Sequence, residues 1–582
     1  MGLTRRGWLG ATAGLAAGGG VFASGRAGAR TAEGAGIIPP RPAPAFVVHE
    51  RGAGTHDYGG ALEALRAYAL VEIEAMGLPG MTIGVSDLDG FTATLTLGWS
   101  DIENRVPVGE TSLFQIGSIS KSFIALTVLA LADEGKIDLD GPAAHALPEA
   151  PWPDASFTVA QLLSHVTGLP ADTPIFPRTP DGRLWSGFTP GSRFSYSNTG
   201  FQLLGRIIER ATGEPHQAAA ERLVRAKLGL AGMAGTISPE RRPDFAVGYW
   251  PSDAFAADDL PGARLEHALW SPEDNPAGSI GASGGQMARY LRALMRIARG
   301  QGAPVLSDAS ARRFVTPVID ATEFGPGARY ACGVAVVPLD GAPALHHTGG
   351  MMSFSSSFHA DPAAGVACFA SVNARMGPYR PRRTTAYAMR LLRAARTGAR
   401  PPPSVDALAA YRVKDAEPFM GVFAGPDARF ELSGSPGGLR LTTAEGSGAV
   451  APGGPDRLVT DHPVLSRYGL DAVRENGKIV GFWWGEAFFS RDGARRAPGA
   501  DPALAPMAGT YLNRDPWVGG ADILVRGDRL VLEGGGPLVR HGDWWSAEKD
   551  LGGVERLTFE APMNGRMTRL VASGCDMLRL TV

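Results

Sequence analysis

Phe114-Gln-Ile-Gly-Ser-Ile-Ser-Lys-Ser-Phe-Ile-Ala125 is the stretch from which both the fold and the chemistry of this chain can be inferred. Ser118 and Lys121 form an S-x-x-K pair, and residues three apart lie on one face of a helix. The run 123–132 is apolar on every side, which is typical of a fully buried helix. Because burial lowers the pKa of a lysine, Lys121 is a candidate proton acceptor for the hydroxyl of Ser118. The alternative is a chance match, in which Ser118 caps the helix and Lys121 extends to solvent.

Length and composition limit the possible function classes. The 582 residues are enough for two or three domains, and a hydrophobic content of 44% permits packed cores. The net charge of -2, without a cluster of basic residues, argues against a nucleic-acid partner. The cysteines are odd in number, and we expect buried apolar thiols rather than a bridge or a catalytic role. They are Cys332, Cys368 and Cys575.

The N-terminus has the pattern of an export signal. Residues 4–10, TRRGWLG, match a twin-arginine signal and lead into a weakly apolar run that ends at 24. Ala27-Gly28-Ala29 is a candidate A-x-A cleavage site, with Ala23 as an earlier option. The run is too short and glycine-rich for a transmembrane helix. We therefore predict a signal peptide at 1–29, a periplasmic or secreted protein, and no stable membrane span after signal removal. The alternative is a disordered cytoplasmic tail.

Hydrophobic patterns between 58 and 396 predict an α+β domain. Besides the helix of Ser118, the predicted helices are 58–76, a short helix from the capping box at Thr158 to about His165, 201–211, 286–299 and 387–396. The predicted strands are 81–87, 91–99, 330–337, 344–348 and 365–372. Strands at both ends with helices between them indicate an antiparallel sheet on which the terminal helices pack.

Tyr196-Ser197-Asn198 is a second candidate motif, in a loop just before a helix. Residues two apart in an extended segment point the same way, so Tyr196 and Asn198 would face one site. A phenol beside a lysine can act as a general base if its pKa falls, and an amide can hold a substrate carbonyl. The alternative is that Asn198 is a helix cap.

His347-Thr348-Gly349-Gly350 is a third candidate motif, at the end of a predicted strand. Glycines at this place would let a substrate backbone approach closely. A strand N–H group there is also suited to complete an oxyanion hole with the N–H group of Ser118.

Together these residues resemble the serine β-lactamase and penicillin-binding-protein family, over residues 45–395, and in particular the class C enzymes and the related esterases and D-aminopeptidases. Residues 117–121 match the first motif of that family, and 158–170, TVAQLLSHVTGLP, is similar to its LLxHxSGLP segment. Residues 196–198 match the second motif, and 347–349 stand where the family has K-T-G or H-x-G.

The resemblance implies a role for each matched residue. Ser118 would be the nucleophile, and Lys121 and Tyr196 would share the base and acid roles. Asn198 would contact the substrate, and His347 and Gly349 would line the same site. The backbone N–H groups of Ser118 and Gly350 would form the oxyanion hole. We predict neither a metal site nor a cofactor.

One position departs from the β-lactamase pattern. Residue 347 is a histidine, whereas the lysine of K-T-G helps to hold the free carboxylate of substrates. A neutral imidazole attracts an anion more weakly, and the H-x-G form resembles the esterase and D-aminopeptidase branches. His346 should point to the opposite face and have a structural role.

Residues 281–285, GASGG, fit G-x-S-x-G, the nucleophile elbow of another hydrolase class. That elbow should follow a buried strand, whereas residues 272–276, PEDNP, form a polar turn. We therefore expect a loop before the helix at 286–299.

The C-terminal third contains an internal repeat of about ninety residues. Residues 418–423 match 506–511, 439–441 match 530–532, and 476–478 match 564–566. Short alternating strands and N-G turns predict two small antiparallel β-barrels. The predicted domains are a hydrolase domain at 30–398, a Pro-rich linker at 399–410, and barrels at 411–495 and 503–582. This order resembles the D-aminopeptidase architecture.

We therefore expect an exported serine hydrolase that forms an acyl-enzyme on esters, amides or D-amino-acid peptides. The partner would be a small-molecule or short-peptide substrate. One alternative is a β-lactamase or D-Ala-D-Ala carboxypeptidase with the same chemistry. Another is a non-catalytic protein that binds cell-wall fragments. The complete set of Ser118, Lys121 and Tyr196 argues against the last, because a pure binder has no need of it.

Overall fold

The computed structural model describes residues 47–51, 55–251, 260–376, 379–425, 428–435, 438–491, 493, 495, 497–515, 518–550 and 552–580. The predicted signal peptide, with both candidate cleavage sites, lies outside these residues. Within the described ranges, no helix is long and apolar enough to cross a bilayer.

An antiparallel sheet forms the centre of the first domain. The strands of this domain are β1 (Val47–Arg51), β2 (Gly80–Asp87), β3 (Thr92–Asp101), β4 (Val106–Pro107), β5 (Phe114–Gln115), β6 (Tyr249–Pro251), β7 (Leu265–His267), β8 (Gly281–Ala282), β9 (Ile319–Asp320), β10 (Arg329–Tyr330), β11 (Ala335–Leu339), β12 (Ala342–Gly350), β13 (Ser355–Asp361) and β14 (Val366–Val372). The sheet order is β1-β3-β2-β14-β13-β12-β11-β10-β9, and β4 pairs with β3. β5 pairs with β8, and β6 with β7, in two small separate sheets.

Helices cover both faces of this sheet. The α-helices are α1 (Gly59–Met76), α2 (Ser120–Asp133), α3 (Ala143–Ala146), α4 (Val159–Leu163), α5 (Asn198–Thr212), α6 (His216–Ala220), α7 (Gly284–Ala298), α8 (Asp308–Val315) and α9 (Arg382–Thr397). The terminal helices α1 and α9 pack together on one face, as predicted, and α7 packs on the other. A hydrophobic core lies on each face of the sheet, and alternate residues of β14 point into one or the other. Phe369 packs in the core around α2, and Cys368 packs in the core around α1.

Two strand predictions need correction. The run 330–337 was expected to be one strand, but Tyr330 and Ala335 pair with each other across a hairpin. Gly333, at φ 68°, makes the reversal possible. Strand β13 was missed because it begins with three serines, which a hydrophobic pattern does not mark. These serines are buried, and Ser357 lies 3.1 Å from the hydroxyl oxygen of Thr385 on α9.

The three cysteines are buried and form no disulfide, as predicted. Burial raises the pKa of the Cys332 thiol to about 12, so this side chain stays protonated and behaves as an apolar group.

Two closed eight-stranded antiparallel barrels follow, which confirms the predicted fold class. The first contains β15 (Gly421–Ala424), β16 (Arg429–Ser435), β17 (Gly438–Thr443), β18 (Gly446–Gly454), β19 (Arg457–Thr460), β20 (Leu470–Glu475), β21 (Lys478–Trp484) and β22 (Ala487–Ser490). The second contains β23 (Gly509–Leu512), β24 (Gly520–Arg526), β25 (Arg529–Leu532), β26 (Gly536–His541), β27 (Trp544–Ala547), β28 (Leu557–Met563), β29 (Arg566–Ala572) and β30 (Cys575–Arg579).

Repeated residues occupy equivalent places in the two barrels. Phe423 of β15 and Tyr511 of β23 are fully buried in the respective cores. Asn476 and Asn564, at φ 48° and 51°, stand at the hairpins between β20 and β21 and between β28 and β29. A glycine with positive φ follows each asparagine, as a two-residue hairpin turn requires.

Candidate active site

Ser118 and Lys121 lie at the entry to the buried helix α2. A short 3-10 helix, Gly117–Ile119, leads into α2, and Gly117 at φ 56° allows this change of direction. The Nζ atom of Lys121 lies 3.1 Å from the Oγ atom of Ser118. Lys121 is 0% exposed, and no side chain caps α2. The alternative of a serine cap with a lysine extending to solvent is therefore wrong.

The Lys121 amine is held by three oxygen atoms. Besides Ser118 Oγ, these are Asn198 Oδ1 at 2.5 Å and the Ala277 carbonyl oxygen at 2.9 Å. Burial lowers the pKa of Lys121 to about 7, and the negative charge of Asp172 opposes this only in part. A neutral amine has two N–H groups, and these donate hydrogen bonds to Asn198 Oδ1 and to the Ala277 carbonyl oxygen. The lone pair of the amine then faces the hydroxyl of Ser118. The arrangement suits Lys121 to accept that proton.

Tyr196 is close to the lysine but is held as a neutral phenol. Nζ of Lys121 lies 4.8 Å from the centre of the Tyr196 ring. Burial raises the pKa of Tyr196 above its usual value, and the nearby Ser118 hydroxyl opposes this only in part. The phenolic oxygen is buried and makes no well-formed hydrogen bond to the described residues. The condition for a tyrosine base, a lowered pKa, is therefore not met, and the phenol is suited to donate a proton.

Asn198 is the first residue of α5, and Ser197 is its cap. The Ser197 side chain accepts the hydrogen bond of the Gly200 N–H group at 3.0 Å, so the interpretation of Asn198 as a cap is wrong. While Asn198 Oδ1 accepts from Lys121, its Nδ2 donates to both carboxylate oxygens of Asp172 at 3.0 and 3.1 Å. Asn198 thus connects the lysine to a buried carboxylate.

His165 supports the tyrosine motif from behind. Its ring lies 4.4 Å from that of Tyr196, and its Nδ1 accepts a hydrogen bond from the Ser197 N–H group at 3.0 Å. Its own backbone is in the left-handed region at φ 57°, which turns the chain after α4. The sequence contained a signal for this residue, since it is the histidine of the LLSHVTGLP segment.

His347 lies at the same site but is 1% exposed. Its Nδ1–H group donates to the Thr348 carbonyl oxygen at 2.6 Å, which leaves Nε2 to accept from the Tyr330 hydroxyl at 3.1 Å. Burial and the neighbouring Lys121 lower the pKa of His347 to about 3. The imidazole is neutral, as expected, and both of its nitrogens are engaged by the protein. His346 lies buried with its ring stacked on that of His359.

Gly349 of the third motif and Gly117 before the nucleophile allow two backbone segments to pack directly on each other. A β-carbon on Gly349 would lie 1.8 Å from the Ile116 carbonyl oxygen, and one on Gly117 would lie 2.7 Å from the Gly350 nitrogen. The end of β12 therefore packs directly on the backbone that carries Ser118. Residues 116–117 therefore make a close approach to this strand end. It places the N–H groups of Ser118 and Gly350 on neighbouring backbone segments.

Arg380 brings a cation to the same strand end. A β-carbon on Gly350 would lie 2.5 Å from a guanidinium nitrogen of Arg380. The guanidinium donates to the Tyr379 carbonyl oxygen at 2.7 Å and, more weakly, to Ser355 Oγ at 3.4 Å. Burial lowers its pKa to about 9, which leaves it charged at neutral pH. Sequence reasoning did not single out this arginine.

Asp172 and Ala277 were also missed. Asp172 is the second residue after the LLSHVTGLP segment, and its acidic side chain was the available signal. Ala277 acts through its backbone carbonyl, which has no signature in a sequence.

Ser283 has a structural role, but residues 281–282 form the short buried strand β8 where a loop was expected, and α7 begins at Gly284. Ser283 caps α7, accepting from the Gln286 N–H group at 3.4 Å, while the Gln286 side chain accepts from the Ser283 N–H group at 2.9 Å.

Comparisons with known proteins identify the family of this chain. A model of the family described as Beta-lactamase matches residues 69–394. Penicillin-binding protein 4 of Amycolatopsis lactamdurans is 28% identical over 309 residues, which are 50% of this chain and 79% of that protein. Esterase EstB of Burkholderia gladioli is 32% identical over 273 residues, which are 40% of this chain and 68% of that protein.

A solved structure has a similar fold. The octameric penicillin-binding protein homologue from Pyrococcus abyssi superposes with a TM-score of 0.53 and 21% identity. The superposition covers 74% of this chain and 99% of that chain.

Proposed function

Because the chain belongs to the beta-lactamase family of serine hydrolases, we propose that it hydrolyses its substrate through an acyl-enzyme on Ser118. The observation that carries this proposal is the 3.1 Å contact between Nζ of the fully buried Lys121 and Oγ of the partly exposed Ser118. The Lys121 pKa of about 7 leaves a large share of the amine neutral at physiological pH. A neutral amine beside a serine hydroxyl is the arrangement that nucleophilic catalysis requires.

The residues divide the reaction as follows. Ser118 Oγ attacks the carbonyl carbon of the substrate, and its proton passes to Lys121. The N–H groups of Ser118 and Gly350 stabilise the oxyanion. When the C–O or C–N bond to the leaving group breaks, Tyr196 donates the proton that the leaving group needs, and Lys121 returns a proton to the tyrosine. Water then attacks the acyl ester and gives a proton to Lys121, which passes a proton to Ser118 Oγ as the acyl C–O bond breaks and the acid product leaves.

We propose neutral esters or D-amino-acid amides as the substrate class. The neutral state of His347 supports this choice, because a substrate carboxylate gains no charge-assisted hydrogen bond from an imidazole with a pKa of about 3. The similarity to Esterase EstB over 68% of that protein is in keeping with it.

A second candidate class is substrates with a free carboxylate, such as β-lactams or D-Ala-D-Ala peptides. Arg380 favours it, since its charged guanidinium lies against Gly350, next to the proposed oxyanion site. Among the described residues, no Asp or Glu forms an ion pair with Arg380. The similarity to a penicillin-binding protein agrees with this alternative.

The test is covalent labelling followed by a substrate panel. A fluorophosphonate should label the wild-type protein at Ser118. The panel is p-nitrophenyl esters, D-amino-acid p-nitroanilides and a chromogenic cephalosporin. Lys121→Ala and Tyr196→Phe should each remove much of the activity, and their losses should not add, because the groups act as a unit. A wild-type protein that neither reacts with the label nor turns over any panel member would refute the proposal.

We also propose that the protein is exported to the periplasm or beyond. This proposal rests on the twin-arginine pattern at 4–10. Replacing both arginines, Arg5→Lys and Arg6→Lys together, should leave the full-length protein in the cytoplasm of the producing cell. An exported double variant would contradict it.

A further inference from the structure

The second barrel contacts the segment that builds the candidate active site. The loop between β27 and β28, residues 548–556, presents Val554 and Glu555, both 3% exposed. The Trp185 side chain donates to the Val554 carbonyl oxygen at 2.8 Å, and a β-carbon on Gly187 would lie 2.7 Å from the Val554 α-carbon. The two domains therefore meet in close, specific contact.

Glu555 is a buried carboxylate between the two domains. One of its oxygens accepts the Ala171 N–H group at 2.6 Å, and the other accepts the Ser573 hydroxyl at 2.6 Å. Beside it, the Thr173 hydroxyl donates to the Ser573 carbonyl oxygen at 2.6 Å. Barrel residues thus hold positions 171 and 173, one on each side of Asp172.

A chain of hydrogen bonds continues from this contact to the nucleophile. The Ala171 carbonyl oxygen accepts the Asn198 N–H group at 2.7 Å, and Asp172 accepts the Asn198 side-chain amide. Asn198 Oδ1 accepts from Lys121, and Lys121 reaches Ser118. Ala171 and Asp172 are at most 2% exposed, so solvent does not compete for their hydrogen bonds.

We propose that Glu555 is a positioning residue for the catalytic reaction: from the second barrel it fixes Ala171 and Asp172, and thereby the orientation of Asn198 and Lys121. The barrel is in this respect a part of the active site rather than an appended module. The inference rests on the acyl-enzyme function proposed above.

The charge of Asp172 makes this role measurable. Asp172 raises the pKa of Lys121 against the effect of burial, so a loosened Asp172 lets that pKa fall. The other titratable groups around the amine stay neutral across the working range, because burial holds the pKa values of the histidines low and that of the tyrosine high. The groups that face Lys121 are Asp172, His165, Tyr196 and His347, and Glu323, with a pKa raised to about 8, faces Tyr196.

The experiment compares full-length variants on the best substrate of the panel. Glu555→Ala should lower kcat/KM by about tenfold or more, mainly through kcat, since a buried N–H group is left without its acceptor. The acidic limb of its pH–rate profile should move to lower pH. Glu555→Gln keeps an acceptor for Ala171 and should restore most of kcat and the wild-type limb.

The matched control breaks another contact between the same two domains. Arg178 forms exposed ion pairs with Asp576 at 3.0 Å and Glu560 at 3.4 Å, away from the path to Lys121. Arg178→Gln should change kcat/KM by no more than about twofold and leave the pH profile in place. An equal loss in Arg178→Gln would mean that general domain contact, and not Glu555, is responsible, and would overturn the proposal.

Two further results are decisive. If Glu555→Ala does not fold, Thr173→Val removes the neighbouring hydrogen bond more mildly and should shift the acidic limb in the same direction. Unchanged kinetics in a folded Glu555→Ala, or an unshifted limb in Thr173→Val, would overturn the positioning role. Fluorophosphonate labelling of the wild type separates the two proposals: without labelling the acyl-enzyme function fails, whereas labelling with unaffected variants refutes only the role of Glu555.

Discussion

Gly349 and Ile116 lie so close together that a β-carbon on the glycine would stand 1.8 Å from the isoleucine carbonyl oxygen. This contact joins the end of β12 to the turn that carries Ser118. Real β-carbons do not tolerate such a distance, and backbone atoms on the other side cannot rotate away. The position of Ser118 relative to β12 therefore depends on residue 349 being a glycine, which has no β-carbon.

Gly349→Ala should separate these two backbone segments. We expect a loss of about 1–3 kcal/mol in the free energy of unfolding, as for other overpacked sites, and a fall of at least a hundredfold in kcat/KM. The matched control is Gly60→Ala on α1, where a β-carbon would meet nothing within 4 Å. It should be neutral or slightly stabilising. Wild-type kinetics in Gly349→Ala would show that the contact has no part in catalysis.

Ser118→Ala should abolish fluorophosphonate labelling and lower turnover by several orders of magnitude. Ser283 provides the control, because it lies in a G-x-S-x-G sequence but serves as the cap of α7. Ser283→Ala should keep the label while losing about 1 kcal/mol of stability. Mass spectrometry of the labelled peptides decides between them. An adduct on Ser283 in the Ser118→Ala protein would reverse the assignment.

The parts of this site that the sequence predicted are those encoded by local patterns. The run 123–132 identified a buried helix, because every position except Thr127 is apolar, and residues 120–131 are all buried. The S-x-x-K spacing put Lys121 beside Ser118 on that helix. The barrels were predictable for a similar reason, since the repeat places buried aromatic residues and N-G turns at matching positions.

Contacts between distant segments were not predictable. Glu555 and Ala171 are 384 positions apart, and nothing local marks a barrel glutamate as a partner of the active-site loop. The protonation state of Tyr196 was equally hidden, because it depends on how completely the tertiary structure excludes water from the phenol. The serine-rich strand β13 escaped because its partners, Ser371 and Thr385, lie on other elements.

The pH dependence of kcat/KM should follow the ionisation of Lys121. The base must be neutral, and burial lowers the pKa of Lys121 from 10.5 to about 7. We expect kcat/KM to fall about tenfold per pH unit below that value and to level off above it. A profile that rises only near pH 10 would mean that the lysine is solvated and is not the base.

The same ionisation should appear in stability. Between about pH 7 and 10.5 the unfolded chain binds a proton at Lys121 that the folded chain does not, so the free energy of unfolding rises with pH. Relative to Lys121→Met, the wild type should gain up to about 1.4 kcal/mol per pH unit in this window and nothing below it. Contributions from the other titrating groups are common to both proteins and cancel in the difference. If the free energies of unfolding of the wild type and Lys121→Met changed in parallel with pH, the lowered pKa of Lys121 would be contradicted.

Residues 411–582 should fold without the hydrolase domain, because both barrels are closed and each has its own core. We expect a β-type far-UV spectrum and a cooperative thermal transition. Phe423→Ala in the same fragment should cost about 3–5 kcal/mol, since Phe423 is fully buried in the first barrel. A wild-type fragment with a helical or coil spectrum would show that the barrels need the first domain to fold.

Substrate preference should depend on the charges at residues 347 and 380. Losing a charge-assisted hydrogen bond costs about 1.5–3 kcal/mol, which corresponds to a roughly tenfold to hundredfold handicap on substrates with a carboxylate. His347 is neutral, so short-chain esters or D-amino-acid amides should exceed cephalosporins and D-Ala-D-Ala peptides in kcat/KM. His347→Lys should shift the ratio toward the anionic substrates. Arg380→Gln should lower kcat/KM on those substrates alone, because esters and amides present no anion to the guanidinium. Measuring all four substrates in the three proteins decides the question. A wild type that hydrolyses the cephalosporin faster than any ester, and loses that activity in Arg380→Gln, would establish the carboxylate-binding alternative instead.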